Sequence, residues 1–237
     1  MTDRRQGSAS IEQPQYWWYR ARADLLRAAL SDFAVDTRHL LDVGSADGPS
    51  VQWLRGDQHV TVDLDPRGLR PGGGVNGSAL ALPFRDGVFD LVSAFDVVEH
   101  CDPEAVAMGE LGRVLRPGGR LLLSVPAYEW AWSDHDVRAG HVRRYTRPRL
   151  VAAVERAGFV VLRATYGFSG VFPMFAAERL VRRVRGGSAR GDDQRLPEPG
   201  PAAEHALLAL SRAEARWLGS HDVGFGSSVF LAAGKPV

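Results

Sequence analysis

Two stretches of this 237-residue chain hold residue types whose spacing can do chemistry. The first is Asp42-Val-Gly44-Ser45-Ala46-Asp-Gly48, between an apolar run and Pro49. Glycines there let the backbone turn tightly and approach a ligand closely, beside a helix N-terminus. The next apolar run ends in Asp63, at the usual distance for an acid that accepts hydrogen bonds from ribose hydroxyls. Asp65, before Pro66, reads instead as a turn residue. A nicotinamide dinucleotide needs G-x-G-x-x-G, whereas here Gly44 and Gly48 flank Ala46 and no third glycine follows.

The second stretch runs from Tyr128 to Tyr145. Tyr128, Trp130 and Trp132 offer stacking surfaces, and Asp134, His135, Asp136 and His141 offer proton acceptors. Arg143, Arg144 and Tyr145 close the run, the arginines able to pair with an anion. His135, between two carboxylates, is the leading candidate for a general base, because an adjacent carboxylate orients an imidazole and raises its pKa. His141 is the second candidate. The alternative is that Asp134 and Asp136 brace the segment. No metal site is expected, since the single Cys101 and the scattered histidines lack ligand spacing.

Both stretches need elements to hold them. Strands are expected at His39–Val43, His59–Val62, near Val75, Val88–Phe95, Arg120–Val125, Phe159–Thr165 and Ser227–Ala233. Helices alternate with them. One opens at Pro49 and continues through Leu54; another follows Asp102 as N-cap, with Pro103 first; a third is capped by Thr146. Such alternation implies a doubly wound α/β fold with a mostly parallel seven-stranded, Rossmann-like sheet. A single domain spans 1–237: a cap helix at 14–33, a core at 38–165, a helical insertion at 166–224 before the last strand at 225–235, and a mobile linker at 186–201.

The segments Asp42–Gly48, Asp63, Ala81–Val92, Val97-Val-Glu-His100 and Arg113–Gly119 resemble, in order and spacing, the motifs of class I S-adenosylmethionine-dependent methyltransferases. The resemblance covers roughly Leu40 to Val161, and the lid and the Trp17–Arg22 start are similar to a bacterial small-molecule and glycoconjugate subgroup. It implies that Asp42, Gly44, Ser45, Ala46 and Gly48 hold the methionine end of S-adenosyl-L-methionine. Asp63 then takes the ribose, Leu64 lies against the adenine, and Ser78, Ala79 and Leu80 stand where the family has an Asp-Ala pair. The acid of that pair is absent here. Phe95 follows the fourth strand, where the sulfonium lies in this family; an aromatic face or a carbonyl there favours a cation, and core packing is the alternative.

The activity implied is methyl transfer to a small molecule or glycoconjugate, with O-methylation of a sugar, glycolipid or secondary metabolite preferred. An N-methyltransferase of the same fold, a non-catalytic cofactor-binding module and a nicotinamide oxidoreductase are the alternatives. Basic and acidic residues nearly balance, 29 against 28, which argues against a nucleic-acid partner. Met1 to Gln13 is polar and no apolar run is long enough to span a bilayer, so a cytoplasmic location is expected. The Arg-rich amphipathic stretch after Phe168 suits either docking on its own domain or peripheral membrane contact. Oligomeric state is not legible.

Overall fold

The computed structural model describes residues 13–34, 36–44, 48–184 and 199–237. The strands are β1 (His39–Val43), β2 (Gln58–Asp63), β3 (Gly74–Asn76), β4 (Phe89–Phe95), β5 (Leu115–Pro126), β6 (Val160–Gly167) and β7 (Ser228–Gly234). The helices are α1 (Trp17–Leu30), α2 (Glu104–Val114), α3 (Asp134–Ala139), α4 (Arg147–Arg156), α5 (Phe172–Val184) and α6 (Pro201–Leu218). One sheet forms in the order β3-β2-β1-β4-β5-β7-β6, with only β7 antiparallel to its neighbours. This is the expected mostly parallel, doubly wound sheet with its last strand inserted late. The linker expected at 186–201 lies largely outside the described residues.

Alternation along the strands sorts the core into two layers. Leu41, Val92, Leu121 and Leu123 face Met108 and Leu111 of α2 and Leu150 and Val154 of α4. Leu40, Leu91, Leu122 and Phe230 face Leu25, Leu26 and Leu30 of α1 and Leu208 and Leu218 of α6. Each fully buried side chain of this kind contributes about 2 kcal/mol. Helix α1 has no side-chain N-cap, so this packing is what fixes it. Strand order reverses between β1 and β4, and ligands of open α/β sheets bind at the strand carboxyl ends beside such a reversal.

Three local expectations are corrected. After Gly48 there is only a single 3-10 turn, Pro49–Val51, not a helix. The chain must run back along β1, about 16 Å for five residues, while the nine residues Pro49–Asp57 would span only about 13 Å as an α-helix. Asp102 does not cap α2, whose N-cap is Pro103 with no side-chain bond. Its carboxylate instead accepts from Arg143 Nη2 at 3.0 Å. Strand β5 begins at Leu115, and the Pro117-Gly118-Gly119 segment is absorbed as an irregularity in its pairing with β4, with Gly118 at φ +75°.

Candidate functional site

At the crevice, β1 ends in Gly44, whose φ of +72° suits glycine. A Cβ there would meet Val97 Cγ2 at 2.6 Å, so the residue must be glycine for packing as well. Its N–H donates to Val62 O at 2.8 Å, which pins the turn to β2. Asp42 is fully buried below it and accepts from Ser93 Oγ at 2.7 Å, tying β1 to β4. Ser45 and Ala46 lie outside the described residues, and Gly48 has an ordinary extended backbone.

Asp63 ends β2 half-buried, one carboxylate oxygen accepting from Asp65 N at 2.8 Å. Asp65 is the cap of the turn that follows, accepting from Arg67 N at 3.0 Å and pairing with its guanidinium. Leu64 is 74% exposed beside Asp63, and Asn76 Nδ2 clamps the carbonyls of both at 2.9 and 3.0 Å. Ser78 Oγ accepts from Leu80 N at 3.1 Å within its own turn, while Ala79 and Leu80 are half-buried against the core. The loop beyond is braced by Arg113, which donates to the carbonyls of Leu82 and Phe84, and by Glu110, which accepts from Leu82 N.

The Phe95 side chain is a correction to the aromatic-face reading. It is 2% exposed and stacked on Trp53 at 6.5 Å, within the core, and the cation near its ring is the Arg22 guanidinium. The feature that sequence reasoning missed lies beside it. Arg22 of α1 is buried and donates to Ser50 Oγ and to Ser124 Oγ at 2.5 and 2.6 Å. It also pairs with Asp96 at 2.8 Å, and Ser124 Oγ donates to the same carboxylate at 3.0 Å. Its guanidinium stands 5.4 Å from the Trp18 ring and 5.9 Å from that of Phe95. A signal was available: Arg22 falls on the buried stripe with Leu25, Leu26 and Ala29. Arg22 Nε has no hydrogen-bond partner among the described residues.

The lid is a loop closed at its base, Tyr128 N donating to Tyr145 O and Tyr145 N to Pro126 O. Helix α3 sits within it, opened by a capping box of Ser133 and Asp136 and ended by Gly140 at φ +78°. Asp136 is fully buried and accepts from His141 Nδ1 at 2.8 Å and from Arg144 Nε and Nη2 at 2.7 and 3.0 Å. Desolvation works against its charge, but the His141 and Arg144 bonds prevail and hold its pKa well below the carboxylate range.

This arrangement redistributes the expected acceptor residues. Arg144 is buried on Asp136 and Ala127 O, and Tyr145 is buried with its hydroxyl on Glu104, so both serve the fold and neither is open to an acceptor. Their polar atoms are needed to satisfy the lid's own interior. Asp136 orients His141, not His135, because neighbouring helical positions point in different directions. His135 is on the exposed edge, its ring 6.2 Å from that of His141. Desolvation by surrounding protein and the His141 ring hold its pKa below the usual histidine value. Asp134 is exposed and Trp132 half-buried. Tyr128 stacks on Trp130 at 5.8 Å and on Tyr166 at 5.4 Å, and Phe172 of α5 closes the aromatic group. Burial and the Tyr166 hydroxyl push the Tyr128 phenol up to about 12.

The sequence pattern of a family described as a methyltransferase domain matches residues 15–164. The chain belongs to the class I S-adenosylmethionine-dependent methyltransferases. It is 34% identical over 154 residues to an uncharacterized methyltransferase of Mycobacterium sp. (strain JLS), covering 55% of this chain and 61% of that protein. It is 30% identical over 149 residues to the O-methyltransferase cnsE of Penicillium expansum, covering 54% of each. The chain thus spans less than two thirds of the length of these relatives. Among solved structures it is similar in fold to phosphoethanolamine N-methyltransferase 2 of Haemonchus contortus in complex with S-adenosyl-L-methionine. That likeness has a TM-score of 0.54 at 16% identity, over 90% of this chain and 52% of that one.

The crevice fits the cofactor of this methyltransferase family. Leu64 is a large apolar side chain left bare next to a carboxylate, which suits an adenosine whose base covers the one and whose ribose meets the other. At the β1 end of the crevice, the turn at Gly44 is restricted to glycine by packing, which keeps the backbone there free of a side chain. When bound, S-adenosylmethionine would supply a methyl group on a sulfonium, whose sulfur leaves as the neutral thioether of S-adenosylhomocysteine.

Proposed function

We propose that this methyltransferase methylates a hydroxyl group of a small molecule: a sugar, a glycolipid or a secondary metabolite. Asp63 and Leu64 would hold the adenosine, and the Gly44 turn with Arg22 the methionine end. Ser78, whose hydroxyl accepts from Leu80 N and keeps its O–H free, would add a neutral hydrogen bond at the adenine. The observation that carries the acceptor side is the stack of Tyr128 on Trp130 and Tyr166, with Trp130 exposed, on the lid that also holds the histidines. Aromatic faces of this kind align a flat or sugar-like acceptor and keep water out. His135, exposed on the lid, is the group we assign to take the hydroxyl proton. The activity of the relative named O-methyltransferase supports the same choice.

An amine acceptor needs no such base, so the decisive experiment pairs an acceptor screen using methyl-labelled cofactor with His135→Ala. Product carrying the label on oxygen, lost in the variant, supports the reading. Label on nitrogen, undiminished in the variant, replaces it with N-methylation. Met174, Leu180 and Val181 of α5 are exposed apolar side chains, which supports an acceptor carried at a lipid surface. Among the described residues no helix is long and apolar enough to cross a membrane. Vesicles of anionic lipid should bind the protein and bind Leu180→Glu less; equal binding would remove the lipid-surface part of the proposal.

A further inference from the structure

The histidines that look scattered in sequence are gathered by the fold. One carboxylate oxygen of Glu99 and one ring nitrogen each of His100 and His141 all lie within 4.8 Å of one another. Glu99 and His100 end the 3-10 turn Val98–His100 that follows β4, and the closed lid brings His141 over them, its Nε2 4.0 Å from the Glu99 carboxylate. Glu99 is the anomaly in this group. Its side chain is fully buried, and neither oxygen has a hydrogen-bond partner among the described residues. Such a carboxylate is costly to keep unless something occupies the space in front of it.

The His141 imidazole is already held from behind. Asp136 binds His141 Nδ1 at 2.8 Å, which leaves Nε2 directed at Glu99. A carboxylate or carbonyl on the far nitrogen is how metal-ligating histidines are oriented, and it makes the near nitrogen a better donor. The two rings meet edge to face at 4.7 Å between centroids, close enough to share one ion.

We propose that Glu99, His100 and His141 bind a divalent first-row transition-metal ion. Two imidazoles and one carboxylate favour zinc, iron(II), cobalt or manganese over the hard cations magnesium and calcium, and leave coordination positions open. Ligands about 2.1 Å from a tetrahedral ion stand roughly 3.4 Å apart, so the cluster closes by about an ångström on binding. The proposal departs from the expectation of no metal site, because the ligand spacing is spatial, not sequential. An open position on the acceptor side of the sheet would take an oxygen of the acceptor, a role that rests on the O-methylation reading. Binding of the ion does not rest on it.

The test uses the full chain, stripped with chelator and titrated with cobalt(II) while its visible d–d absorption is followed, with zinc then competing. One saturable equivalent is expected, weakened at least about 100-fold in Glu99→Gln and in His141→Gln. His205→Gln, at an exposed histidine on α6, should leave it unchanged. If Glu99→Gln fails to fold by circular dichroism, His100→Gln, at a surface-exposed position, carries the test. Absence of saturable one-to-one binding in the wild type, or equal binding in folded Glu99→Gln or His100→Gln, overturns the proposal. S-adenosylhomocysteine binding by the same metal-free protein reports separately on the cofactor reading, so either can fail without the other.

Discussion

Gly44, Asp63 and Asn76 reach the crevice because they end β1, β2 and β3, and the register of a parallel sheet sets their places. Asp136, His141 and Arg144 reach theirs by bonding to one another inside a lid that adds no strand to the sheet. The first region is positioned by backbone and the second by buried charge. The difference teaches where each is vulnerable. In the crevice a side chain can be lost with the frame intact. In the lid, removing one charge strands the others.

The largest effect is therefore expected from Asp136→Asn. Arg144 would stay buried with half its pairing gone, and breaking such a buried pair from one side costs about 3–5 kcal/mol. Urea unfolding measures it, and a loss below about 1 kcal/mol would mean that the lid is not held by charge. Gly44→Ala comes next, at about 2–3 kcal/mol from a left-handed backbone and the clash with Val97. S-adenosylhomocysteine binding should fall with it. Stability retained in Gly44→Ala would show that the turn is less fixed by the sheet than its geometry implies.

The same contrast decides what could be read from the sequence. The sheet was legible because buried parallel strands are short apolar runs with glycine and aspartate at their ends, as at Leu40–Gly44 and Val60–Asp63. Thr146 as a cap was legible because its bond is local, to Arg149 N. The choice of Asp136 for His141 over His135 was not, since it depends on which way a two-turn helix rotates its side chains. Nor was Arg22, whose partners Ser50, Asp96 and Ser124 are contributed by three separate loops and strands. Glu99 looked like part of a motif and proved to be a buried carboxylate facing a residue forty-two positions on. Pairings across such distances follow from topology, and local pattern does not encode them.

Asp63→Ala sharpens the crevice side. Loss of charge-assisted bonds to two ribose hydroxyls should weaken S-adenosylhomocysteine about 10- to 100-fold. The Asp63 carboxylate also accepts from Asp65 N, so the unliganded unfolding midpoint should be read alongside the affinity. Unchanged affinity, read by calorimetry, would remove Asp63 from the cofactor site.

The smallest effect tests how much charge matters in the Leu82–Phe84 loop on the crevice side. Glu110 is bonded by Arg113 at 2.6 Å and by Leu82 N at 2.7 Å, and chiefly the Arg113 bond lowers its pKa. A carboxylate with a lowered folded pKa stabilises the protein fully above its unfolded value, near 4.3, and loses that contribution as pH falls through the lowered value. Glu110→Gln should therefore cost about 1 kcal/mol at pH 7, with the difference from wild type shrinking below about pH 4. The loop from Leu82 to Phe84 would keep its Arg113 bonds, so cofactor affinity should fall by less than in Asp63→Ala. If Glu110→Gln instead destabilised as much as Asp136→Asn, the crevice too would depend on charge, and the division between a backbone-built half and a charge-built half would fail.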